Sequence, residues 1–219
     1  MERIGCISPS MSPFRFVSET PIIRRLAADC PGLTVHMTQV NRAITLEIPL
    51  LRERKVDLII ARGVFSVPED DLNSEILFEE SLIVVAGVKS AWARRRKVEL
   101  AELMNEKWIL YPPEESPGTL VQQAFRARGL EVPPASAATM SYRLREMLMM
   151  TGDYLTVIPA CMLRVFNARH PMVKRLPIDL GIQPRAVAIF TLKNRTLTPV
   201  AELFMQCVRT VAKETVSAQ

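Results

Sequence analysis

Short apolar runs along the chain alternate with stretches in which apolar residues recur every three or four positions. Arg3–Ser8 reads as a strand built on Ile4, Cys6 and Ile7, followed by a Ser- and Pro-rich loop, Ser8-Pro9-Ser10-Met11-Ser12-Pro13. A helix is predicted from about Pro21 to Cys30, with Thr20 as N-cap and Pro21 at the first helical position. Ile22, Ile23, Leu26, Ala27 and Cys30 give it one apolar face, and Pro31-Gly32 stops it. Leu33–Val40 is a strand with Leu33, Val35 and Met37 at period two. A second helix is expected over about Ala43–Arg54. Pro49 lies inside it, at a cost of roughly 3 kcal/mol unless near the first turn, so that helix either starts late, near Thr45, or kinks. Val56–Ala61 is nearly all apolar, as suits a parallel strand covered on both faces. This alternation implies right-handed crossovers and a doubly wound sheet.

The middle of the chain repeats the logic. Leu82–Ala86 and Trp108–Tyr111 read as strands, with a short helix at Val98–Asn105 between them. A loop, Pro112 to Gly118, leads into a helix over Thr119–Arg128 closed by Gly129. Ala135–Thr139 is a strand, and Ser141 caps a Met- and Leu-rich helix ending at Gly152. Leu155–Pro159 is a strand and Ala160–Asn167 a helix. A strand at about Arg185–Leu192 and an amphipathic helix at about Thr198–Val211 remain. A lone strand and helix make a poor third domain. They are better placed completing the first lobe, so the chain crosses between lobes twice, near Glu79–Glu80 and Ile182–Arg185. The expected fold is therefore α/β, two Rossmann-like lobes joined by a two-strand hinge, as in type 2 periplasmic-binding-protein-like folds. Residues 1–79 plus 184–219 form lobe I, and residues 80–183 form lobe II.

Composition narrows the function classes. Hydrophobic residues make up 48% of 219, enough for real cores and against disorder. No run reaches the roughly 18–20 apolar residues that span a membrane. The first residues lack the basic start and apolar middle of a signal peptide, so a cytoplasmic location is expected. The net charge of +5 is mild, and the basic residues are dispersed apart from Arg94-Arg95-Arg96-Lys97, which reads as a solvated loop. Cys6, Cys30, Cys161 and Cys207 are scattered in apolar segments, as reduced structural thiols would be, a redox-sensing pair being the alternative. His36 and His170 have no partner spacing, so no metal site is expected. The chain has no G-x-S-x-G, Walker A loop or G-x-G-x-x-G, which points away from catalysis and from any cofactor.

A set of pieces, in order over nearly the whole chain, resembles the effector-binding domain of LysR-type transcription regulators. Arg3-Ile4-Gly5 opens the first strand, and Ala28 to Val35 is similar to the family's helix end, proline and next strand. Leu50 to Ile60 resembles its LL-x-x-G-x-x-D-L-x-I stretch, with Arg54 where glycine is usual. Phe78 to Val85 matches the entry to the second lobe, and Leu100 to Leu103 before Trp108-Ile109-Leu110 resembles its L-x-D-L…W-I-L. Gly152 to Pro159 is similar to G-x-G-x-x-x-x-P, with Tyr154 in place of the second glycine. Asn41-Arg42 through Leu58 is most similar to the regulators of galactose-binding-protein genes. The resemblance implies a sensing domain without its N-terminal winged helix-turn-helix. It would bind a small effector and a second copy of itself, would be tetrameric when full-length, and would reach DNA only through the missing domain. No membrane partner is implied.

In a doubly wound fold, ligands sit beyond the carboxyl ends of the strands, where helix N-termini aim free N–H groups. The expected effector-binding residues of the first lobe are Ser8, Pro9 and Ser10, Asn41 and Arg42, and Arg62 and Gly63. Those of the second are Pro112, Ser116, Gly118 and Thr119, then Thr139 and Ser141, then Pro159. Hydroxyls and amides would hydrogen-bond the ligand, and Arg42 or Arg62 would pair a carboxylate. A sugar, a sugar acid or another small carboxylate fits. Against these stand plainer roles: Ser8–Pro13 as a tight connection, Arg62 as a solvated or inter-subunit charge, Ser141 as a simple N-cap, and Met147, Met149 and Met150 as core or interface. Two other functions compete: a solute-binding protein of an ABC-type uptake system, and an enzyme on a similar bilobal frame.

Overall fold

In the computed structural model, which describes residues 3–9, 20–40, 47–62, 70–168 and 170–216, the chain divides into two units. The first comprises residues 1–80 and 185–219, the second residues 81–184.

The first unit is organised around a strand with two dry faces. β3 (Leu58–Arg62) buries Leu58 and Ile60 on one side and Ile59 and Ala61 on the other. The sheet runs β2-β1-β3-β10-β4, with β1 (Arg3–Pro9), β2 (Thr34–Val40), β4 (Leu72–Glu80) and β10 (Arg185–Leu192). β1 pairs in parallel with β2 and β3, whereas β10 is antiparallel to both β3 and β4. One face is covered by α1 (Thr20–Asp29) and α6 (Pro199–Val216), packing Ile22, Leu26, Phe204 and Val208 on Leu58, Ile60, Val187 and Ile189. On the other face Leu51, from α2 (Ile48–Arg52), packs against Ile59, Ala188 and Phe190.

The second unit repeats this pattern. Its sheet runs β7-β6-β8-β5-β9, from β5 (Leu82–Gly87), β6 (Lys107–Leu110), β7 (Ala135–Ala138), β8 (Tyr154–Pro159) and β9 (Val173–Arg175). β6 is parallel to β7 and β8, and β5 is antiparallel to β8 and β9. Its helices are α3 (Ser116–Arg126), α4 (Tyr142–Met149) and α5 (Met162–Phe166). Trp108 is fully buried, donates from Nε1 to Leu103 O at 2.8 Å, and meets Phe125 edge-on at 5.8 Å.

Several elements differ from their sequence-based bounds. α2 starts at Ile48, which puts Pro49 in the first turn, where its missing N–H costs nothing. The helix is therefore five residues long, not twelve, and residues 41–46 lie outside the described residues. α3 starts at Ser116, because Pro117 opens the helix and Gly118 does not break it; the predicted loop is shorter by three residues. The helix expected at Val98–Asn105 is a 3-10 turn over Leu100–Leu103, closed by a capping box between Glu99 and Glu102. α1 has a narrower apolar face than expected: Ile22 and Leu26 are buried, but Ile23 is 41% exposed and Ala27 is exposed. α6 runs to Val216, five residues past its expected end. The strands β4 and β9 and a 3-10 turn at Ala91–Arg94 were not anticipated.

Cys30, Cys161 and Cys207 carry free thiols, and burial pushes the Cys207 thiol above its ordinary range. Arg94 to Lys97 are exposed, with Arg95 paired to Glu102 at 2.9 Å and lying over the Trp92 ring. Among the described residues no helix is long and apolar enough to cross a membrane.

Candidate functional site

Strand order reverses beside the first strand of each parallel set: β1 lies between β2 and β3, and β6 between β7 and β8. The crevice beyond the carboxyl ends at such a reversal is where doubly wound folds hold ligands. In the first unit that edge carries Ser8 and Pro9 at the end of β1, in register with Gln39 and Val40 of β2, and Arg62 at the end of β3. Ser10, Asn41, Arg42 and Gly63 lie outside the described residues.

The second unit gathers its predicted residues more fully. Pro112 follows β6, and α3 starts four residues later. Gly118 is held against that loop: a Cβ there would lie 2.0 Å from Pro112 O, so only glycine lets the first turn of α3 sit so close. Ser116, Gly118 and Thr119 all belong to this first turn, whose free N–H groups give it a positive dipole end. The Thr119 hydroxyl donates to Pro113 O at 3.2 Å and Glu115 O at 3.3 Å, which leaves its lone pairs for a ligand donor. Thr139 follows β7, where its N–H donates to Leu110 O at 3.0 Å and its Oγ1 accepts from the Ser141 N–H at 3.0 Å. Ser141 is the N-cap of α4, accepting from the Leu144 N–H at 3.3 Å. Pro159 is buried at the end of β8, opposite Leu82. A cavity of about 180 Å³ reaches one of these residues, Gly118, and is otherwise lined by Leu110, Tyr111, Val121, Pro133 and Ala138 among others. A second cavity of about 530 Å³ lies between the start of β5 and the return segment 175–184.

The residue that ties this edge together is Arg145, which the sequence reading passed over. It is 0% exposed on α4. Its Nη1 donates to Ile109 O at 3.1 Å and to Thr156 Oγ1, and its Nη2 donates to Leu110 O at 2.8 Å and Thr139 O at 2.6 Å. The guanidinium also lies over the Tyr111 ring, 3.8 Å from its centroid. Burial lowers its pKa from the ordinary arginine value. One side chain thus fixes the carboxyl ends of β6 and β7 against β8. The signal for it was periodic: Tyr142, Arg145 and Met149 recur at helical spacing and are all buried, while Met147 and Met150 are 54% and 51% exposed.

Among the described residues, no group of three or more His, Cys, Asp or Glu side chains is placed to hold a metal ion.

Comparison with known proteins gives this geometry a family. The chain is 25% identical over 166 residues to the transcriptional dual regulator GltC of Bacillus subtilis (strain 168), covering 74% of this chain and 52% of that protein. It spans about half the length of that curated relative. The regulatory domain of CcmR from Synechocystis PCC6803, solved in complex with 2-PG, superposes with a TM-score of 0.74 at 18% identity, covering 97% of this chain and 98% of that one. The effector-binding domain of QuiR in complex with shikimate gives a TM-score of 0.67 at 18% identity, covering 97% of each. These likenesses establish the type 2 periplasmic-binding-protein-like fold. The family model of the LysR substrate binding domain matches residues 4–213, and the chain belongs to that family.

Proposed function

We propose that this chain is the effector-sensing domain of a LysR-type transcription regulator, holding a small molecule at the carboxyl edges of its sheets. The observation that carries this reading is the family match across residues 4–213 on a chain whose strand ends gather hydroxyls, glycine and arginine. The chemistry is binding alone. Differential affinity of the effector for two states of the full-length oligomer would shift its action on DNA. DNA contact would belong to a winged helix-turn-helix in the full-length protein, a cytoplasmic homodimer or tetramer. The relatives are transcription regulators, and the solved neighbours include regulatory domains holding 2-PG and shikimate, which supports a small-molecule effector here and does not favour a solute-binding protein for uptake. The narrower grouping with regulators of galactose-binding-protein genes rests on residues 41–58 alone.

The test uses Ser8→Ala and Thr119→Ala. A thermal-shift screen first finds a stabilising ligand, since a ligand that binds only the folded state stabilises by mass action. Calorimetry should then show both variants binding it about tenfold more weakly, the order expected for one lost hydrogen bond, with unfolding midpoints unchanged in its absence. Unchanged affinity in both removes these loops from the site.

A further inference from the structure

The α1/α6 face of the first unit's sheet is apolar along its length and charged at one end. Leu58 and Ile60 of β3, Val187 and Ile189 of β10, and Phe78 of β4 form that face beneath α1 and α6. Side chains alternate along a strand, so Arg62 continues the row of Leu58 and Ile60. Arg62 stands opposite Val187, and Arg185 lies two residues before Val187 on the same face. The two guanidinium stems are therefore diagonal neighbours on adjacent strands, within reach of one another. Glu80 stands opposite Arg185 and is 1% exposed. Among the described residues of these three strand ends, two cations, Arg62 and Arg185, stand beside one carboxylate, Glu80. Like charges side by side cost free energy unless an anion joins them.

Three further observations bear on what that anion is. Arg62 Nη1 is buried and meets no hydrogen-bond acceptor among the described residues, although a buried charged donor without an acceptor is expensive. Arg185 feels both burial and the Arg62 charge, which lower its pKa from the ordinary value. α1 packs on this same face with Ile22 in its first turn, and that turn, Thr20 onward, holds no acidic residue.

We propose that Arg62 and Arg185 form an anion site at the carboxyl edge of the first unit, and that the effector is a small carboxylate or phosphate, not a neutral sugar. The inference rests on the effector-sensing reading and adds the sign of the ligand's charge and the arginines that read it. The second unit carries the same sign at the same edge of its own sheet, through the buried Arg145, which donates to carbonyls and a hydroxyl and lies over an aromatic ring.

The experiment compares the 219-residue chain with Arg62→Gln and Arg185→Gln by thermal shift, at ionic strength matched with sodium chloride. The probes are sodium sulfate, D-galacturonate and its neutral counterpart D-galactose. Sulfate stabilises proteins generally, so the readout is the difference between wild type and variant, which cancels that general effect. The expected result is a larger shift of the wild type than of either variant with sulfate and with galacturonate, and none with galactose. Titration of the responding anion should show about a tenfold to hundredfold weaker Kd in Arg62→Gln, the scale of a lost charge-assisted hydrogen bond. Equal anion-dependent shifts in wild type and variants, or no anion response at all, overturn the anion site. A shift with galactose alone would overturn it while leaving effector sensing intact.

Discussion

Arg145 poses the question of what a buried cation does for stability when its partners are neutral. Desolvating a guanidinium costs several kcal/mol, and hydrogen bonds from a charged donor return about 1.5–3 kcal/mol each. Four such bonds offset the cost, so the native arrangement is sustained but not strongly favoured over an apolar one. Ile109 O also accepts from the Thr156 hydroxyl at 2.7 Å, and Leu110 O from the Thr139 N–H at 3.0 Å. Removing the guanidinium therefore strands few acceptors. What cannot be replaced is its volume. Arg145→Ala should lower stability by about 3 kcal/mol through the cavity left, and Arg145→Met by only about 1 kcal/mol, read from urea unfolding. Equal losses in the two variants would show that charge, not volume, holds the edge. Its spacing with Tyr142 and Met149 was the one signal in the sequence, and it was missed because an arginine at helical spacing ordinarily belongs to a solvated face. The methionines around it drew attention instead, and two of the three are exposed.

Elements were legible where burial is two-sided and obscure where pairing alone makes the strand. β3, β5 and β8 read directly as apolar runs, since neighbours on both faces demand it. Among the described residues β4 is an edge strand, paired with β10 alone. Its register slips between Val187 and Ala188, where Leu77 is the extra residue, so its period of two breaks midway and Ile76 is left 63% exposed. β9 is three residues long and exists only because Val85 to Gly87 offer it a ladder. α2 shows the opposite lesson, because the proline that disturbed the pattern marked its start. The end of α2 was also visible in the sequence, as a family glycine replaced by Arg54. That residue has φ 57°, the left-handed conformation that L side chains adopt at a cost of about 1–2 kcal/mol. Arg54 is exposed and donates its N–H to Leu51 O at 3.1 Å, a bond that glycine keeps. Arg54→Gly should therefore raise stability by about 1 kcal/mol, seen as a higher urea midpoint at unchanged m-value. A lower midpoint would mean that the arginine side chain contributes more than its backbone strain costs.

At the scale of the whole molecule, connectivity makes the two units unequal. The second unit is continuous in sequence and owns every strand of its sheet. The first is split, and the late segment supplies its middle: β10 lies between β3 and β4, and α6 contributes Phe204, Met205 and Val208 to the core beneath them. Residues 1–80 alone would thus leave β4 with no neighbour and β3 with a bare edge, its α1 face stripped of the α6 half of its cover. The bidentate pair of Arg209 with Glu75, 2.7 Å in both bonds, would be lost too, though a pair this exposed adds little. Glu80 and Arg185, where the chain leaves and re-enters this unit, are register partners, so their backbones are about 5 Å apart. A two- to four-residue hairpin loop bridges that distance. Three fragments follow. Residues 81–184 should fold alone, and residues 1–80 joined by a Gly-rich hairpin loop to residues 185–219 should also fold, each with a dispersed amide spectrum and a cooperative urea transition. Residues 1–80 alone should give neither. If the joined fragment stays unfolded while residues 81–184 fold, the first unit depends on the second for its stability, and the division into two self-sufficient cores fails for that half of the chain.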